Sequence, residues 1–337
     1  MNAPGVGHAA RGMSAHRLPL VDMHGLRFGD RAQRLRVAEA IAAASGTYGF
    51  FYLSNHGIAR EAMASGFAAA REFFALPLAQ RMACRPREPR QNRGYQPMFD
   101  TVRPGGKPDR KESFDMGFPL PADDVDQLAK LPFHSPNSWP ELAGFRDRVE
   151  ALYFAMLNCG HQVLRGMALS LGADENFFVG RCVKPTTNLR LVHYPPQAAD
   201  LEEGIGASAH TDRGLITLLL NDDRGGLHVA FDGGEWIDAP PRDDAIIVNV
   251  GDLLTRWTNG RFRSAMHRVV NAGGQARYAI PQFHHPAFHT VVDPAELPRA
   301  DPEAPLAFEA VQAGTFVASG FSRDRTSWNT SRMPDAR

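Results

Sequence analysis

Cysteine is scarce in this sequence, which has three among 337 residues. Cys84, Cys159 and Cys182 form an odd set without any Cys-x-x-Cys spacing. A disulfide framework needs a dense and even set of cysteines, and a structural zinc site needs closely spaced ones. The sequence therefore argues against both, and it fits a reducing compartment.

Long apolar segments are also missing. No stretch reaches the roughly eighteen consecutive apolar residues that a membrane-spanning helix needs. Residues 1–17 are small and polar, without an apolar core followed by a cleavage pattern. We therefore expect a flexible N-terminal tail there and no signal peptide. These features together predict a cytoplasmic protein that has no membrane partner.

Neither sign of charge is in excess, because 37 basic residues balance 37 acidic ones. Such a balance creates no global field that would attract nucleic acid or an anionic membrane. Hydrophobic residues make up 43% and charged residues 22%, as is ordinary for a soluble globular enzyme. We expect a small-molecule partner, and the sequence leaves open whether the protein is a monomer or a small homo-oligomer.

The spacing of apolar residues changes along the chain. In the first half they recur at helical intervals, over the longest distance in residues 145–171, and from residue 186 onward they alternate as in strands. Short strands separated by Gly-Gly and Asp-Asp turns favour a jelly roll. We predict one domain over residues 18–337, mainly β with flanking helices. Its helical part with specificity loops spans 18–180, and its jelly-roll core spans 181–330. The strand candidates of the second half are 188–194, 215–220, 227–231, 245–250, 267–270, 278–284 and 315–317.

A loop-rich stretch lies over residues 92–115, between the helical segments. Loops on a rigid scaffold often carry the residues that determine specificity. Phe99 and Arg103 are candidates to face a substrate from this stretch. An ordinary exposed loop explains the same residues equally well.

Two histidines and one aspartate form the pattern with the clearest chemistry. His210 and Asp212 are two residues apart, so on a strand their side chains point to the same side. His267 follows after enough residues for several strands to return the chain to the same place. Two imidazoles and one carboxylate, with open positions, are the facial triad of non-heme Fe(II) oxygenases. A lone His-x-Asp pair is common by chance, and Arg277 adds a guanidinium able to hold a carboxylate in bidentate fashion.

Six ordered segments around these residues resemble the isopenicillin N synthase-like branch of the Fe(II)/2-oxoglutarate-dependent dioxygenases. The resemblance extends from about Leu18 to Pro286 and includes the Gly-Phe-Phe-Tyr-Leu segment that begins at Gly49. It implies a distorted double-stranded β-helix, which is a jelly roll. It also implies Fe(II) as cofactor, with 2-oxoglutarate and O2 as cosubstrates. The six segments are 210–219, 225–227, 248–254, 257–260, 264–269 and 277–281.

The resemblance assigns roles to individual residues. His210, Asp212 and His267 become the iron ligands, and no catalytic residue is expected beyond them. Arg277 becomes the anchor for the distal carboxylate of 2-oxoglutarate, with Tyr194 beside it. One position departs from the family, because Ala279 stands where a serine hydroxyl is usual. That loss could weaken the binding of 2-oxoglutarate or indicate a different cosubstrate.

Three residues are candidates for binding the substrate. Arg190 shares a strand face with Tyr194 and could bind a substrate carboxylate, while Phe283 and Phe99 could wall the pocket. Core packing explains Phe283 equally well. Asp252 is expected to fix the turn that leads to the strand of His267, as outer-shell residues do.

The predicted activity is oxidation of a small organic substrate, with hydroxylation as the default outcome and release of succinate and CO2. One alternative is an oxidative cyclase that works without 2-oxoglutarate, and another is an oxidase of the ethylene-forming type. The alternative of another class is a non-catalytic small-molecule-binding barrel. Turnover of 2-oxoglutarate that depends on O2 would separate them.

Overall fold

The structure is a computed structural model. It describes residues 17–86, 91–103, 107–197, 205–231, 234–271, 274–299, 301 and 303–324. The predicted tail therefore lies outside the described residues, except for Arg17. Within the described part of the chain, no helix has the length and apolar character that crossing a membrane requires.

Two β-sheets form the centre of the described fold. The larger sheet has eight strands in the order β1-β2-β10-β7-β12-β5-β4-β3, and the smaller has four in the order β6-β11-β8-β9. All neighbours are antiparallel except β1 and β2. Strands β13 and β14 form a separate pair. The strands are β1 (Leu20–Asp22), β2 (Phe50–Ser54), β3 (Gly94–Gln96), β4 (Glu112–Gly117), β5 (Asn188–Tyr194), β6 (Ile205–His210), β7 (Ile216–Asn221), β8 (Leu227–Ala230), β9 (Trp236–Asp238), β10 (Ala245–Val250), β11 (His267–Val270), β12 (Arg277–His284), β13 (Val291–Val292) and β14 (Val311–Gln312).

Helices cover the outer face of the larger sheet. The longest helix, α6, contacts β7 and β12 of this sheet as well as helices α2 and α3. Helix α2 begins with a capping box. The backbone N–H of Gln33 donates to the Asp30 carboxylate, and the backbone N–H of Asp30 donates to the side-chain oxygen of Gln33, both at 2.8 Å. The helices are α1 (His24–Phe28), α2 (Arg31–Thr47), α3 (Arg60–Ala75), α4 (Leu78–Ala83), α5 (Val125–Leu128), α6 (Phe145–Ser170), α7 (Asp252–Trp257) and α8 (Ala313–Asp324).

The hydrophobic core has two parts. The larger part fills the space between the helices and the outer face of the larger sheet. The smaller part joins the inner faces of the two sheets, for example Tyr194 and Ala279 of the larger sheet with Ala207 and Leu227 of the smaller. Two sheets packed in this way, with helices outside, are the jelly-roll core that the sequence predicted.

Most predicted strands are confirmed, and those at 188–194, 245–250 and 267–270 have the predicted bounds. The strand predicted at 315–317 is wrong, because these residues belong to helix α8. Three residues are too few to distinguish alternation from a helical period. In the helix the buried positions Ala313, Val317 and Gly320 recur every three or four residues.

The description of residues 92–115 as loop also needs correction. Strands β3 and β4 lie there and extend the larger sheet beyond β5. Every residue of β4 is buried, including Glu112 and Asp115, whose carboxylates are satisfied by partners inside the protein. Buried polar residues conceal the alternation on which the prediction of a strand depends. The predicted helical part therefore contributes four strands to the larger sheet.

Candidate functional site

His210, Asp212 and His267 lie together at one end of the smaller sheet, with Asp212 two residues beyond the end of β6 and not on that strand as predicted. His210 is the last residue of β6 and pairs in register with His267, the first residue of β11. One ligand atom from each of the three residues lies within 4.8 Å of the others. The Nε2 atoms of both histidines are 3.9 Å from Oδ1 of Asp212. Two imidazole nitrogens and one carboxylate oxygen at these distances fit a first-row divalent metal such as Fe(II).

The atoms of the triad that face away from this centre have partners that fix their orientation. The Nδ1 atoms of His210 and His267 lie 2.8 and 3.2 Å from the carbonyl oxygens of Ser208 and Ala265. Burial lowers the pKa of His210 well below its usual value, so its ring is neutral at pH 7. A neutral ring whose Nδ1 donates to a carbonyl has its Nε2 lone pair free for a metal.

Hydrogen bonds also fix the Asp212 carboxylate. Its Oδ2 accepts from the Thr217 hydroxyl at 2.6 Å and from the Asn249 amide at 2.8 Å. These bonds leave Oδ1 as the oxygen that faces the two histidines. The roles of Thr217 and Asn249 were not predicted from the sequence. Both lie on strands that adjoin in the larger sheet, β7 and β10, and their polar side chains alternate with apolar ones.

Asp252 connects the two segments that carry the triad, as the sequence analysis expected. Its carboxylate accepts from the Thr211 hydroxyl at 3.1 Å and from the Ser264 hydroxyl at 2.7 Å. Its backbone N–H also donates to the carbonyl of Asp212 at 2.7 Å. Asp252 therefore holds the residue after His210 close to the segment that leads into His267.

We expect the replacement Asp252→Ala to weaken metal binding by about ten- to a hundredfold, as removal of outer-shell partners typically does. Fe(II) or Co(II) titration under anaerobic conditions measures this affinity. Asp244→Ala is the matched control, because Asp244 is an exposed aspartate that pairs with Arg242. Equal metal affinities in the two variants would contradict the role of Asp252.

Arg277 is a buried cation without an anionic partner among the described residues. It is only 1% exposed, so Arg277 does not lie in a surface salt bridge. Nε donates to the carbonyl of Gly225 and Nη2 to the side-chain oxygen of Asn221, both at 2.7 Å, while Nη1 has no partner within the described chain. A buried guanidinium is costly unless an anion accompanies it. The position therefore calls for an anionic ligand.

Tyr194 and Ala279 surround this guanidinium on the inner face of the larger sheet. Arg277 pairs with Tyr194 across β12 and β5, and the guanidinium carbon lies 4.9 Å from the ring centre. Burial raises the pKa of Tyr194, which therefore keeps its hydroxyl proton. Ala279 lines the cavity one row further along, beside Val192. In that row, the nearest hydroxyl group belongs to Ser113 on β4, two strands away from Ala279. It is too distant to replace the hydroxyl that a serine at position 279 would supply.

A cavity of about 460 Å³ is lined by the triad and by Arg277, Tyr194 and Ala279. Both sheets line it, and Phe321 and Asp324 of helix α8 close one side. Its volume is in the range of small-molecule sites. The triad, Arg277, Tyr194, Arg190 and Phe283 all contribute to its wall.

Of the four candidate substrate residues, Arg190, Phe283 and Arg103 line the cavity. Arg190 lies over the Phe283 ring at 5.3 Å, and its Nε donates to the buried Asp115 carboxylate at 2.7 Å. Phe99 does not line the cavity. It is 49% exposed in a turn with a positive φ of 67°, and we do not retain it as a substrate residue.

Helix α8 is fastened over the cavity by residues that the sequence analysis did not identify. Arg213, which follows Asp212 in sequence, donates to the Asp324 carboxylate at 3.1 Å. The carbonyl of Asp324 accepts from the backbone N–H of Val102 at 2.9 Å. Gly320 allows the helix to approach, because a Cβ at this position would lie 1.9 Å from the guanidinium carbon of Arg213. No local sequence signal identifies contacts between segments so far apart.

A buried histidine behind the site makes stability dependent on pH. His284 is buried on β12, and burial holds its pKa well below the usual 6.5. The unfolded chain binds a proton at this residue below about pH 6.5, whereas the folded protein does not. The free energy of unfolding therefore falls as the pH falls from about 6.5, by about 1.4 kcal/mol per pH unit for this residue. We expect the metal-free His284→Leu variant to lose this part of the slope in urea unfolding between pH 7 and pH 5. A slope identical to that of the wild type would contradict the prediction.

Comparison with known proteins agrees with this site. The sequence matches a family model described as "non-haem dioxygenase in morphine synthesis N-terminal" over residues 18–142. It matches the model of the 2OG-Fe(II) oxygenase superfamily over residues 185–286. These matches cover most of the helical part and most of the two-sheet core.

Individual relatives extend over most of the chain. The 2-oxoglutarate-dependent dioxygenase citB of Monascus ruber is 40% identical over 285 residues, which are 80% of this chain and 85% of that protein. The 2-oxoglutarate-Fe(II) type oxidoreductase hxnY of Emericella nidulans is 34% identical over 273 residues, 79% of this chain and 78% of that protein. A similar solved structure is that of a full-length Neurospora crassa protein in complex with alpha-KG and 5-formyluracil. It has a TM-score of 0.79 and 30% sequence identity, and the alignment covers 90% of this chain and 96% of that one.

Proposed function

The chain belongs to the 2OG-Fe(II) oxygenase superfamily, and we propose that His210, Asp212 and His267 bind its Fe(II) while Arg277 and Tyr194 bind the distal carboxylate of 2-oxoglutarate. The protein is a non-heme dioxygenase that requires Fe(II), 2-oxoglutarate and O2. One observation carries the assignment of residues. The buried Arg277 guanidinium has no carboxylate partner among the described residues, and it lines the same cavity as the triad.

Each residue has a defined task in this proposal. The bound Fe(II) supplies the activation of O2, which is coupled to conversion of 2-oxoglutarate to succinate and CO2 and to oxidation of the substrate. Arg277 and Tyr194 fix the far end of 2-oxoglutarate and so direct its keto-acid end toward the triad. Thr217 and Asn249 hold Asp212 with Oδ1 toward the histidines. The apolar part of the cavity wall limits access of water to the reacting groups.

Anaerobic titration of Fe(II)-loaded protein with 2-oxoglutarate tests this proposal. We expect a weak visible charge-transfer band that saturates with one 2-oxoglutarate per iron, and succinate after O2 is admitted. If no band forms while iron remains bound, the assignment of Arg277 and Tyr194 fails. The alternative of an oxidase that works without 2-oxoglutarate would then be favoured for this site.

For the substrate, we propose a small organic molecule that bears a carboxylate and becomes hydroxylated. The volume of the cavity limits the size of the substrate, and the cations in its wall favour a negatively charged group on the substrate. Arg190 is not the anion anchor in this proposal, because Asp115 already compensates its charge. Together with Phe283 it forms a flat wall against which a planar part of the substrate can pack.

A flat, neutral heterocycle is a second candidate, and the same wall favours it. The Arg190 guanidinium over the Phe283 ring suits a planar ligand, and Arg190 also approaches the Asn92 side-chain oxygen at 3.5 Å. The Neurospora crassa relative was solved with 5-formyluracil. Turnover of uracil derivatives at a rate at least equal to that of carboxylic acids would favour this class over the first.

A further inference from the structure

A second cationic group lies in the cavity, separate from Arg277. The Asp109 carboxylate accepts from Arg103 Nη1 at 2.8 Å and from Lys111 Nζ at 2.6 Å, and both donate to the same oxygen, Oδ2. The other oxygen, Oδ1, accepts from the backbone N–H of Ser208 at 2.9 Å and from its hydroxyl at 3.0 Å. Ser208 precedes His210 by two residues on β6. Asp109 therefore fixes the two cations beside the strand that carries His210.

Both cations line the cavity and are mostly buried. The side chains of Arg103 and Lys111 are 17% and 12% exposed, and that of Asp109 is 1% exposed. Although burial alone disfavours the Asp109 carboxylate, Lys111 and Arg103 lower its pKa to about 2, so it is ionised at neutral pH. Burial also lowers the pKa of Lys111 to about 8 against the opposing effect of Asp109. Partial desolvation makes these cations strong binding partners for a further anion.

Arg103 and Lys111 together carry one more positive charge than their carboxylate partner among the described residues can balance. Arg190 is compensated by Asp115, while Arg213 and the more exposed Arg323, whose side chain is 59% accessible to solvent, share Asp324. Arg103 and Lys111 share one carboxylate between them among the described residues. The second cation is therefore not balanced by an ion pair, and both retain N–H groups beyond those that Asp109 uses.

A purely structural role explains only part of this arrangement. One cation is enough to neutralise Asp109 and fasten the loop to β6. A second cation in a buried site adds desolvation cost and repulsion between like charges. That cost is offset when an anionic ligand occupies the cavity beside them.

We propose that Arg103 and Lys111 bind the anionic group, a carboxylate, of the substrate, and that they select anionic over neutral substrates. This inference rests on the proposed function, since it places the substrate in the cavity beside the triad. Arg277 is reserved for 2-oxoglutarate in that scheme, so the two carboxylates bind at different cations. A carboxylate at this position would receive N–H bonds from both side chains and would balance the second of these two cations.

Matched pairs of carboxylic acids and their primary amides test the proposal. Benzoate, phenylacetate, cinnamate and hexanoate are each compared with the corresponding amide, on protein loaded with Fe(II) and 2-oxoglutarate under anaerobic conditions. Dissociation constants are measured by calorimetry. We expect the acids that bind to bind at least about tenfold more tightly than their amides, which is the advantage of a charge-assisted hydrogen bond. If no acid binds more tightly than its amide, the proposal is overturned.

Variants then locate the effect. We expect Arg103→Met and Lys111→Met each to weaken binding of the best acid by about ten- to a hundredfold and to leave its amide almost unchanged. Lys111→Arg retains a cation and should preserve the preference for acids. Arg110→Met is the control, because Arg110 is the adjacent cation and does not line the cavity. Equal losses for acid and amide, with thermal unfolding unchanged, would also overturn the proposal.

The visible band with 2-oxoglutarate separates failure of this inference from failure of the proposed function. We expect Arg103→Met and Lys111→Met to retain the band and the affinity for 2-oxoglutarate within about twofold. If the wild type lacks the band, the assignment of Arg277 fails, whereas the comparison of acids and amides still decides the role of Arg103 and Lys111. If the band is normal and the preference for acids is absent, only the present inference fails.

Discussion

Replacement of Arg277 by methionine is expected to weaken the binding of 2-oxoglutarate by about a hundred- to several-thousandfold. Methionine fills most of the same volume but leaves the distal carboxylate of 2-oxoglutarate buried without a cation. Breaking a buried ion pair in this way costs about 3–5 kcal/mol. The affinity is read from the visible band during anaerobic titration, and Fe(II) affinity should stay within about threefold.

Arg268→Met is the matched control for this measurement. Arg268 lies on β11 beside the proposed iron ligand His267, but its guanidinium packs on Trp236 at 4.2 Å and does not line the cavity. Its loss should not affect the titration with 2-oxoglutarate. The variant Ala279→Ser should act in the opposite direction to Arg277→Met, because it adds a hydroxyl one row from the guanidinium. An Arg277→Met variant with the affinity of the wild type would refute the assignment of the anchor.

Removal of a triad ligand is expected to abolish iron binding and, with it, the turnover of 2-oxoglutarate. Asp212→Ala and His267→Ala each leave two ligand atoms where three are needed to hold the metal. Loss of a direct ligand should reduce Fe(II) affinity by more than the roughly hundredfold that loss of an outer partner can cause. Iron content after desalting and succinate formation are the two measurements.

His289→Ala serves as the control for the triad variants. His289 is an exposed histidine whose Nε2 lies 3.1 Å from Asp126. This variant should retain bound iron and turnover. If the Asp212→Ala protein folds and still binds one iron with the affinity of the wild type, the metal site lies elsewhere.

The sequence was sufficient to predict the β-rich core and to select His210, Asp212 and His267, which the fold brings together. The spacing of His210 and Asp212 and the resemblance of the segments around His267 concern residues that are close in sequence. The core strands contain short apolar runs such as those of β7 and β10, because one face meets the outer core and the other faces the interior between the sheets. The sequence indicated Arg277 as a carboxylate-binding residue. Its burial, and the absence of a partner for its Nη1 among the described residues, became visible only in the structure.

The contacts that shape the substrate side were not predictable in the same way. Asp109 meets Ser208 across 99 positions of sequence, and Arg213 meets Asp324 across 111. The local sequence around Asp109 resembles an exposed polar loop, since its charges are neutralised by residues that only the fold brings near. The polar residues of β4 conceal a buried strand for the same reason. Phe99 was a candidate because it lies in the loop-rich stretch, yet it is exposed in a turn and does not line the cavity.

The position of β4 and α8 has a consequence for how members of this family diverge. The proposed iron ligands and the proposed 2-oxoglutarate anchor Arg277 lie between residues 210 and 277, whereas Arg103, Lys111 and Phe321 come from segments before and after this interval. In this proposal the cations that select the charge of the substrate are thus encoded outside the stretch that carries the triad and Arg277, while Arg190 and Phe283 share strands β5 and β12 with Tyr194 and Arg277. A chimera that exchanges residues 91–117 and 313–324 between two relatives should exchange their substrate ranges while both retain the same consumption of O2 and 2-oxoglutarate.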